Sequence, residues 1–412
     1  MANYYVSSSF GSSGNSGTLP TAPWDIATAK AKDAGTHFAP GDNIYFYKGD
    51  SITCVWNFVS SGSAGNPITF DLFGTATNNA VLDGGGSTSP VLSITGGHHI
   101  VIKNLVIRNS TSGNGIIFLG TATHDITFQN CYINTGIRGI NAMNCGSGGV
   151  ANLLITGNYF TNITDIDDGT GKFKYGGGNH IQLNTCSGSG IEISYNQCYT
   201  PITLGSATTP FVGDIISLFK CNGTSGSLIL VHDNNVRGGG SSTPASPGGG
   251  GKAGLVLGDV GGTYQYGYNN IFVNAGASQL LVQGGTNINL SNNKAYAAQQ
   301  PYTSVGLGYG NYSGLPANSN TIGGNIVNTK SSGGSQQNLY IDQTTGSANS
   351  TASGVAGGPT LALPANWSTN SPNSFNDPGA FDALLSNPLW IGSPWNTVTS
   401  SLIPFNLPIG FA

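Results

Sequence analysis

The stretch GDIISLFKCNG, residues 213–223, sets a carboxylate, Asp214, and an ammonium, Lys220, at the two ends of an apolar run. Only 7% of the chain is charged, against about a quarter of an ordinary soluble domain. Each ionic side chain beside an apolar run therefore asks for a reason. Arg138, His180 and Asp259 occupy comparable places, and Arg237 precedes a Gly/Ser/Pro-rich stretch, residues 238–251. A guanidinium such as Arg237 matches the fork of a carboxylate and can clamp one; its plainer reading is the cover of a bend. His180 at the start of a run reads either as a titratable group or as a hydrogen-bonding turn residue. DIDDGTGKFKYGGGN, residues 165–179, gathers Asp165, Asp167 and Asp168 with Lys172, Lys174 and Tyr175. Oxygen clusters of this kind suit Ca²⁺, although the full calcium-loop pattern is missing and a solvated loop over a groove is the simpler account.

The elements that must hold these residues emerge from an internal repeat. HHIVIKNLVIRN (98–109), HDITFQNCYINT (124–135), VANLLITGNYFTN (150–162) and SGIEISYNQCYT (189–200) share one theme. SLILVHDNNVRG (227–238), YQYGYNNIFVN (264–274), TNINLSNNKAY (286–296) and a weaker NTIGGNIVN (320–328) continue it. Each has alternating apolar residues, an Asn, then a second apolar pair. The anchoring Asn falls at Asn104, Asn130, Asn158, Asn196, Asn235, Asn270, Asn293 and Asn325. The spacing is roughly 30 residues, within the range of solenoid repeats. Between anchors lies another short run: GIIFLG, GINAMN, HIQLNT, IISLFK, GLVLGD and QLLVQG, from residue 115 to residue 284. Such short strands cannot bury a face alone but can when stacked coil on coil. An Asn at the same turn of successive coils can hydrogen-bond to its copies. The pattern predicts an all-β fold, a parallel β-helix over residues 1–356. PWDIATAKAKDAG (23–35) reads as a helix over about residues 24–34 that plugs the N-terminal end. Residues 357–412 lose the period and read as an irregular segment packed along the coils or capping the far end.

Strand alternation then sorts the second series into columns. Ile116/Phe118, Ile140/Ala142, Ile181/Leu183, Ile216/Leu218, Leu255/Leu257 and Leu280/Val282 are expected to point inward. The outer column is Ile117, Asn141, Gln182, Ser217, Val256 and Leu281, polar in the middle coils as a binding groove would be. Before each strand the column runs Asn114, Arg138, Asn179, Asp214, Ala253; after it, Gly120, Asn144, Thr185, Lys220, Asp259. With neighbouring coils about 4.8 Å apart, Arg138 and Asp214 would share an edge with Asn179 between them. Lys220 would sit beside Asp259, and His180 on the same face as Gln182. The competing reading of Lys220 and Asp259 is a surface ion pair, worth about 0–1 kcal/mol.

Composition narrows the partners. Hydrophobic residues make up 38% of 412, enough for a narrow continuous core, and 64 glycines are spread throughout. Net charge is −4 with no basic stripe, which argues against nucleic acid. No apolar run approaches the roughly 18 residues of a membrane span. The opening MANYYVSSSF has neither a basic leader nor a hydrophobic region. The open possibilities are a cytosolic protein, a secreted protein whose leader is absent from this sequence, or a phage virion protein. The six cysteines lack metal-ligand spacing and read as buried thiols in preference to disulfides.

With these segments in view, the chain resembles right-handed parallel β-helix proteins of the pectate-lyase and polysaccharide-lyase type. The likeness starts in YYVSSSFGSSGNSGTLPTAPWDIATAKAK, FAPGDNIYFYKGD and GSAGNPITF, which look like the entry segment of secreted members, and the fold resemblance spans most of residues 3–330. DIISLFKCNGTSGSLILVHDNNVRGGG is loosely similar to the family of chondroitinase B and alginate lyases. In that family acidic residues bind calcium and a lysine is the base, which points to Asp214 and Lys220 here. The spacing from Asp214 to Lys220 is one residue longer than the family's, Val212 and Gly213 stand where a second acid belongs, and Val231 replaces an arginine before His232. The resemblance implies an extracellular or virion protein acting on an acidic polysaccharide or oligosaccharide by β-elimination. Such chemistry needs a group that neutralises the sugar carboxylate, a base for the adjacent proton and an acid for the departing oxygen. Lys220 or His180 is the expected base and Arg138 or Arg237 the neutraliser. Asp214 is cast as calcium ligand or orienter, with Asn141, Asn179, Gln182, Ser217, Asp259 and Tyr175 binding substrate. A glycoside hydrolase with paired carboxylates, or a glycan-binding spike without catalysis, remains open. A monomer is expected, or a trimer if the protein is a phage spike.

Overall fold

A computed structural model describes residues 1–166, 174–200, 212–239, 252–297, 302–310, 317–323, 325–335 and 339–341. The expected C-terminal segment, residues 357–412, lies outside them. The described chain is a right-handed parallel β-helix of three parallel sheets, wound once per coil. Sheet 1 runs from Asn3–Val6 to Thr321–Gly323, sheet 2 from Ser51–Thr53 to Ile326–Thr329, and sheet 3 from Trp56–Phe58 to Leu339–Ile341. One coil reads His124–Gln129 in sheet 1, Tyr132–Gly136 in sheet 2 and Ile140–Met143 in sheet 3. Each strand pairs with its equivalent one coil away, so like residues stack: Ile117, Ile140, Ile181, Ile216, Leu255 and Leu280 form one buried file. Repetition supplies what no single coil has, a partner for every strand and a wall on every side of the core.

The sheet 1 to sheet 2 corner is made by two residues of different character. The first has left-handed backbone, as at Asn104, Asn130, Tyr195, Asp233, Asn269 and Asn292, with φ of 52–64°. Asn and Asp tolerate that region better than most side chains. The second faces inward: Leu105, Cys131, then Asn158, Asn196, Asn234, Asn270, Asn293 and Asn325. From Asn196 onward each amide oxygen accepts the main-chain N–H and the Nδ2–H of its predecessor at 2.8–3.1 Å. The expected asparagine stack is therefore present, with two shifts. Asn104 and Asn130 belong to the left-handed file, not the ladder, and in the DNN corner the ladder member is Asn234, not Asn235. The buried amides are stable there because nearly all their polar atoms are satisfied.

The N-terminal plug is the helix Ile26–Gly35, whose N-cap Asp25 accepts from Thr28 N–H at 2.7 Å. Its inner face carries Ala29 and Asp33, both buried. Asp33 accepts from Trp56 Nε1, Val59 N, Ser60 N and Ser60 Oγ at 2.5–3.1 Å, riveting the helix to the first coil. All six cysteines are free and buried, as expected. Cys145, Cys186 and Cys221 follow the left-handed residues Asn144, Thr185 and Lys220 at the sheet 3 to sheet 1 corner, and the thiols of Cys145 and Cys186 donate to the carbonyls of Leu119 and Ala142 on the preceding coil, at 3.8 and 3.4 Å.

Candidate functional site

Extra chain enters the solenoid at one corner, between sheets 2 and 3. The connections from Ile163 to Ile181, from Tyr199 to Ile216 and from Arg237 to Ala253 all cross there. The outer face of sheet 3 borders that corner, and its outward column in the middle coils is Asn141, Gln182, Ser217 and Val256, in register. One coil toward the N-terminus the column holds Phe118, not Ile117: Ile117 pairs with Ile140 and is fully buried. The reason lies at the corner, where Ile116 and Ile117 are both buried in succession, as are Ile215 and Ile216. Alternation starts only after the turn is complete.

The same corner decides His180. It stands in the file of Ile116, Gly139 and Ile215, wholly buried, and not beside Gln182 on the outer face. Its Nε2 lies 3.1 Å from Thr200 Oγ1, and its Nδ1 has no partner. Burial lowers its pKa to about 3, so the ring is neutral and shut away from any substrate. Asn179, immediately before it, is buried too, with an unpartnered Oδ1.

Arg138 and Asp214 do share the edge of sheet 3, each standing two residues before the aligned Ile140 and Ile216. Arg138 serves as a strap. Its guanidinium donates to the carbonyls of Gly113 and Tyr175, the latter at 2.7 Å, and of Gly176 at 3.3 Å. Burial lowers its pKa, an effect opposed by the charge of Asp165. Asp165 accepts from the N–H groups of Ile166, Tyr175 and Gly177 at 2.6–3.3 Å, closing the base of its loop. That makes it a clasp, its carboxylate taken up by main-chain N–H groups, where the sequence suggested a calcium ligand; Asp167 and Asp168 lie outside the described residues. The Tyr175 ring packs on Gly113, where an added Cβ would stand 2.6 Å away.

Lys220 departs from expectation as well. It sits at the left-handed corner, φ 52°, with an exposed side chain whose Nζ lies 5.2 Å from the Phe219 ring centroid. Its link to Asp259 is through main chain, Lys220 N–H to Asp259 C=O at 2.9 Å, and no ion pair joins the two among the described residues. Asp259 pairs with Phe219 because one extra residue enters its strand after Val256. Gly258, φ 62°, takes up that irregularity. Arg237 belongs to another face: it pairs with Tyr199 in sheet 2, its guanidinium 6.0 Å from the Tyr199 ring.

What sheet 3 does assemble is a carboxylate pair. Asp214 Oδ1 accepts from Ala253 N–H at 2.8 Å, and Asp259 Oδ2 accepts from Ser217 Oγ at 3.3 Å. Burial pushes the Asp259 pKa up to about 6, aided by the negative charge of Asp214 and opposed by Ser217 and Lys252. Burial raises Asp214 as well, against the pull of Lys252 and the Ala253 N–H. Two carboxyls with raised pKa values, with Lys252 in electrostatic reach of both, thus lie beside the polar column of Gln182 and Ser217. The residues that sequence reasoning joined in one centre are split: Arg138 and Asp214 at one edge, His180 inside, Lys220 at a corner and Arg237 on sheet 2.

A second cluster, unforeseen, lies on sheet 1. His232 has Asp233 Oδ2 2.8 Å from Nδ1 and Glu192 Oε1 3.3 Å from Nε2. Tyr268 stacks on its ring at 4.7 Å and Tyr195, 44% exposed, meets it edge-on. The signal was present in the aligned repeats, where YN, HDN and YNN occupy the same corner, but each reads there as a turn.

No family model and no curated protein sequence matches the chain. Among solved structures, it is similar to an alginate lyase from Paenibacillus sp. str. FPU-7, with 16% identity, TM-score 0.48, and 79% of this chain and 97% of that one covered. It is also similar to pectate lyase Pel9A, with 14% identity, TM-score 0.46, and coverage of 86% and 79%. A GH136 lacto-N-biosidase from Eubacterium ramulus follows, with 14% identity, TM-score 0.40, and coverage of 78% and 68%. Identity this low says nothing of chemistry, which must come from the side chains.

Proposed function

We propose that the protein binds a polysaccharide across the outer face of sheet 3 and cleaves it, with Asp214 and Asp259 as the acid–base pair. The observation that carries this reading is the Asp259 carboxyl, held up to about 6 beside a second carboxyl, next to the polar column of Asn141, Gln182 and Ser217. Paired carboxyls with displaced titration are the machinery of glycoside hydrolysis: the protonated member donates to the departing glycosidic oxygen while the ionised one activates water or stabilises the sugar cation. Gln182, half-buried on that column, offers hydrogen bonds to sugar hydroxyls, and Ser217 holds the Asp259 carboxylate.

β-Elimination from an acidic polysaccharide is the second reading, favoured by the electrostatic reach of Lys252 to both carboxyls. A cation there neutralises the uronate, and calcium at Asp214 would add to it. One experiment tests both. The full chain is incubated with a panel of neutral and acidic polysaccharides, with and without chelator. New reducing ends without an unsaturated uronate chromophore indicate hydrolysis; the chromophore indicates elimination. Asp259→Asn should lower turnover by about 10²–10⁴-fold. Wild-type rates in Asp259→Asn and Asp214→Asn would overturn the assignment.

A further inference from the structure

The outer face of sheet 1 carries a separate cluster toward the N-terminal end. Strands His98–Lys103 and His124–Gln129 pair in register, with His98 opposite His124. His99 and Asp125, one residue on, both have left-handed backbone, φ 54° in each case. This interrupts the alternation of inward and outward residues, and all four side chains lie half-buried at the surface. The rings of His98 and His124 stack at 4.9 Å with an interplanar angle of 15°. Asp125 Oδ2 stands 2.5 Å from His124 Nδ1 and 3.8 Å from His99 Nε2.

We propose that His99, His124 and Asp125 form a binding site for a divalent transition-metal ion of the Zn²⁺ type. The three can offer ligand atoms that all lie within 4.8 Å of one another. With bonds of about 2.0–2.2 Å, tetrahedral Zn²⁺ sets its ligands about 3.3–3.5 Å apart, so small shifts of half-exposed rings suffice. Two imidazoles and one carboxylate select such an ion over calcium, which takes oxygen ligands. The surroundings orient the donors as a metal site requires. Asn152, from the next coil, donates Nδ2–H to Asp125 Oδ1 at 2.6 Å and fixes the carboxylate. His98 Nδ1 lies 2.9 Å from His99 Nδ1. When His99 donates that proton, its Nε2 lone pair faces the ion. Three protein ligands leave a fourth position for water or an anionic ligand. The ion would tie two coils together. The plainer account, carboxylate–imidazole hydrogen bonds without an ion, predicts no specific uptake.

The test is titration of the full chain with Zn²⁺ by calorimetry and with Co²⁺ by visible absorption, alongside thermal unfolding. Wild type should take up one ion per chain, give the intense Co²⁺ bands of a four- or five-coordinate centre and unfold at higher temperature when Zn²⁺ is present. His124→Ala should weaken binding by at least about 10-fold and abolish the thermal shift. Asn152→Ala, which keeps all three ligands, should weaken it by about 10–100-fold and remains informative should His124→Ala fail to fold. Asp259→Asn, on sheet 3, should bind as wild type. No uptake by wild type, or wild-type uptake by both His124→Ala and Asn152→Ala, overturns the site.

Discussion

Replacing Asp259 by Asn should raise stability and remove activity in the same molecule. The carboxyl has an ordinary value of 3.8 and is held up to about 6 in the fold, chiefly by burial and then by Asp214. Between those values the unfolded chain has released this proton while the folded chain retains it. The folded state therefore binds more protons, and stability falls as pH rises through that window, then levels off above about pH 6. A displacement of about 2 pH units corresponds to about 3 kcal/mol, an upper figure because the side chain keeps some contact with water. Asn has the same shape, still accepts from Ser217 Oγ and carries no charge. Asp259→Asn should therefore be more stable than wild type by about 1–3 kcal/mol at pH 8 and nearly equal to it at pH 4. The assay is urea unfolding at both pH values, read by circular dichroism, with polysaccharide depolymerisation measured on the same samples. A variant equally or less stable at pH 8, with no difference between the two pH values, would refute the claim that Asp259 is a strained carboxyl. Stability gained without loss of cleavage would refute its catalytic role alone.

Three further outcomes follow from the fold. Asn234→Ala removes the donor to Ile193 O, His232 O and Asn270 Oδ1 and the acceptor for Asn196, all at 2.9–3.0 Å; it should destabilise by about 2–4 kcal/mol and speed amide exchange in the adjoining coils, measured by mass spectrometry. His180→Leu should retain depolymerising activity. Because the folded ring is neutral down to about pH 3 while the unfolded one protonates near its ordinary 6.5, wild type loses stability as pH falls through that interval. The leucine variant should lose less, as read by unfolding midpoints at pH 4 and pH 7. Lys220→Gly should keep full activity and gain up to about 1 kcal/mol in denaturant unfolding, since glycine relieves the left-handed backbone there; lost turnover would return Lys220 to the mechanism.

The N-terminal capping helix, the parallel coils, the inward files of sheet 3 in the middle coils and the free buried thiols were all legible before any coordinates. Each is a consequence of local periodicity: alternation sets which residues face inward, and repetition at coil spacing sets what stacks on what. The asparagine ladder was legible as a motif but not in register at Asn104, Asn130 and Asn235, because left-handed and inward positions adjoin and both accept Asn.

What only the tertiary structure decided is the company each ionic group keeps. Alternation holds along a strand and lapses at a corner, where two residues in succession can face inward; that is how His180 ended among isoleucines. A single inserted residue near Gly258 moved Asp259 from Lys220 to Phe219 and turned its carboxyl toward Ser217. Arg138 and Asp165 were consumed by main-chain groups of loops whose paths no periodicity predicts. His98 and His124 occupy the same column of adjacent repeats, but their approach to Asp125 depends on two left-handed residues. Sequence by itself determined the winding and the stacking of like on like, since both follow from repeated short-range preferences. The chemistry depends on departures from that repeat, at corners, bulges and long connections, and these are settled only when the coils pack.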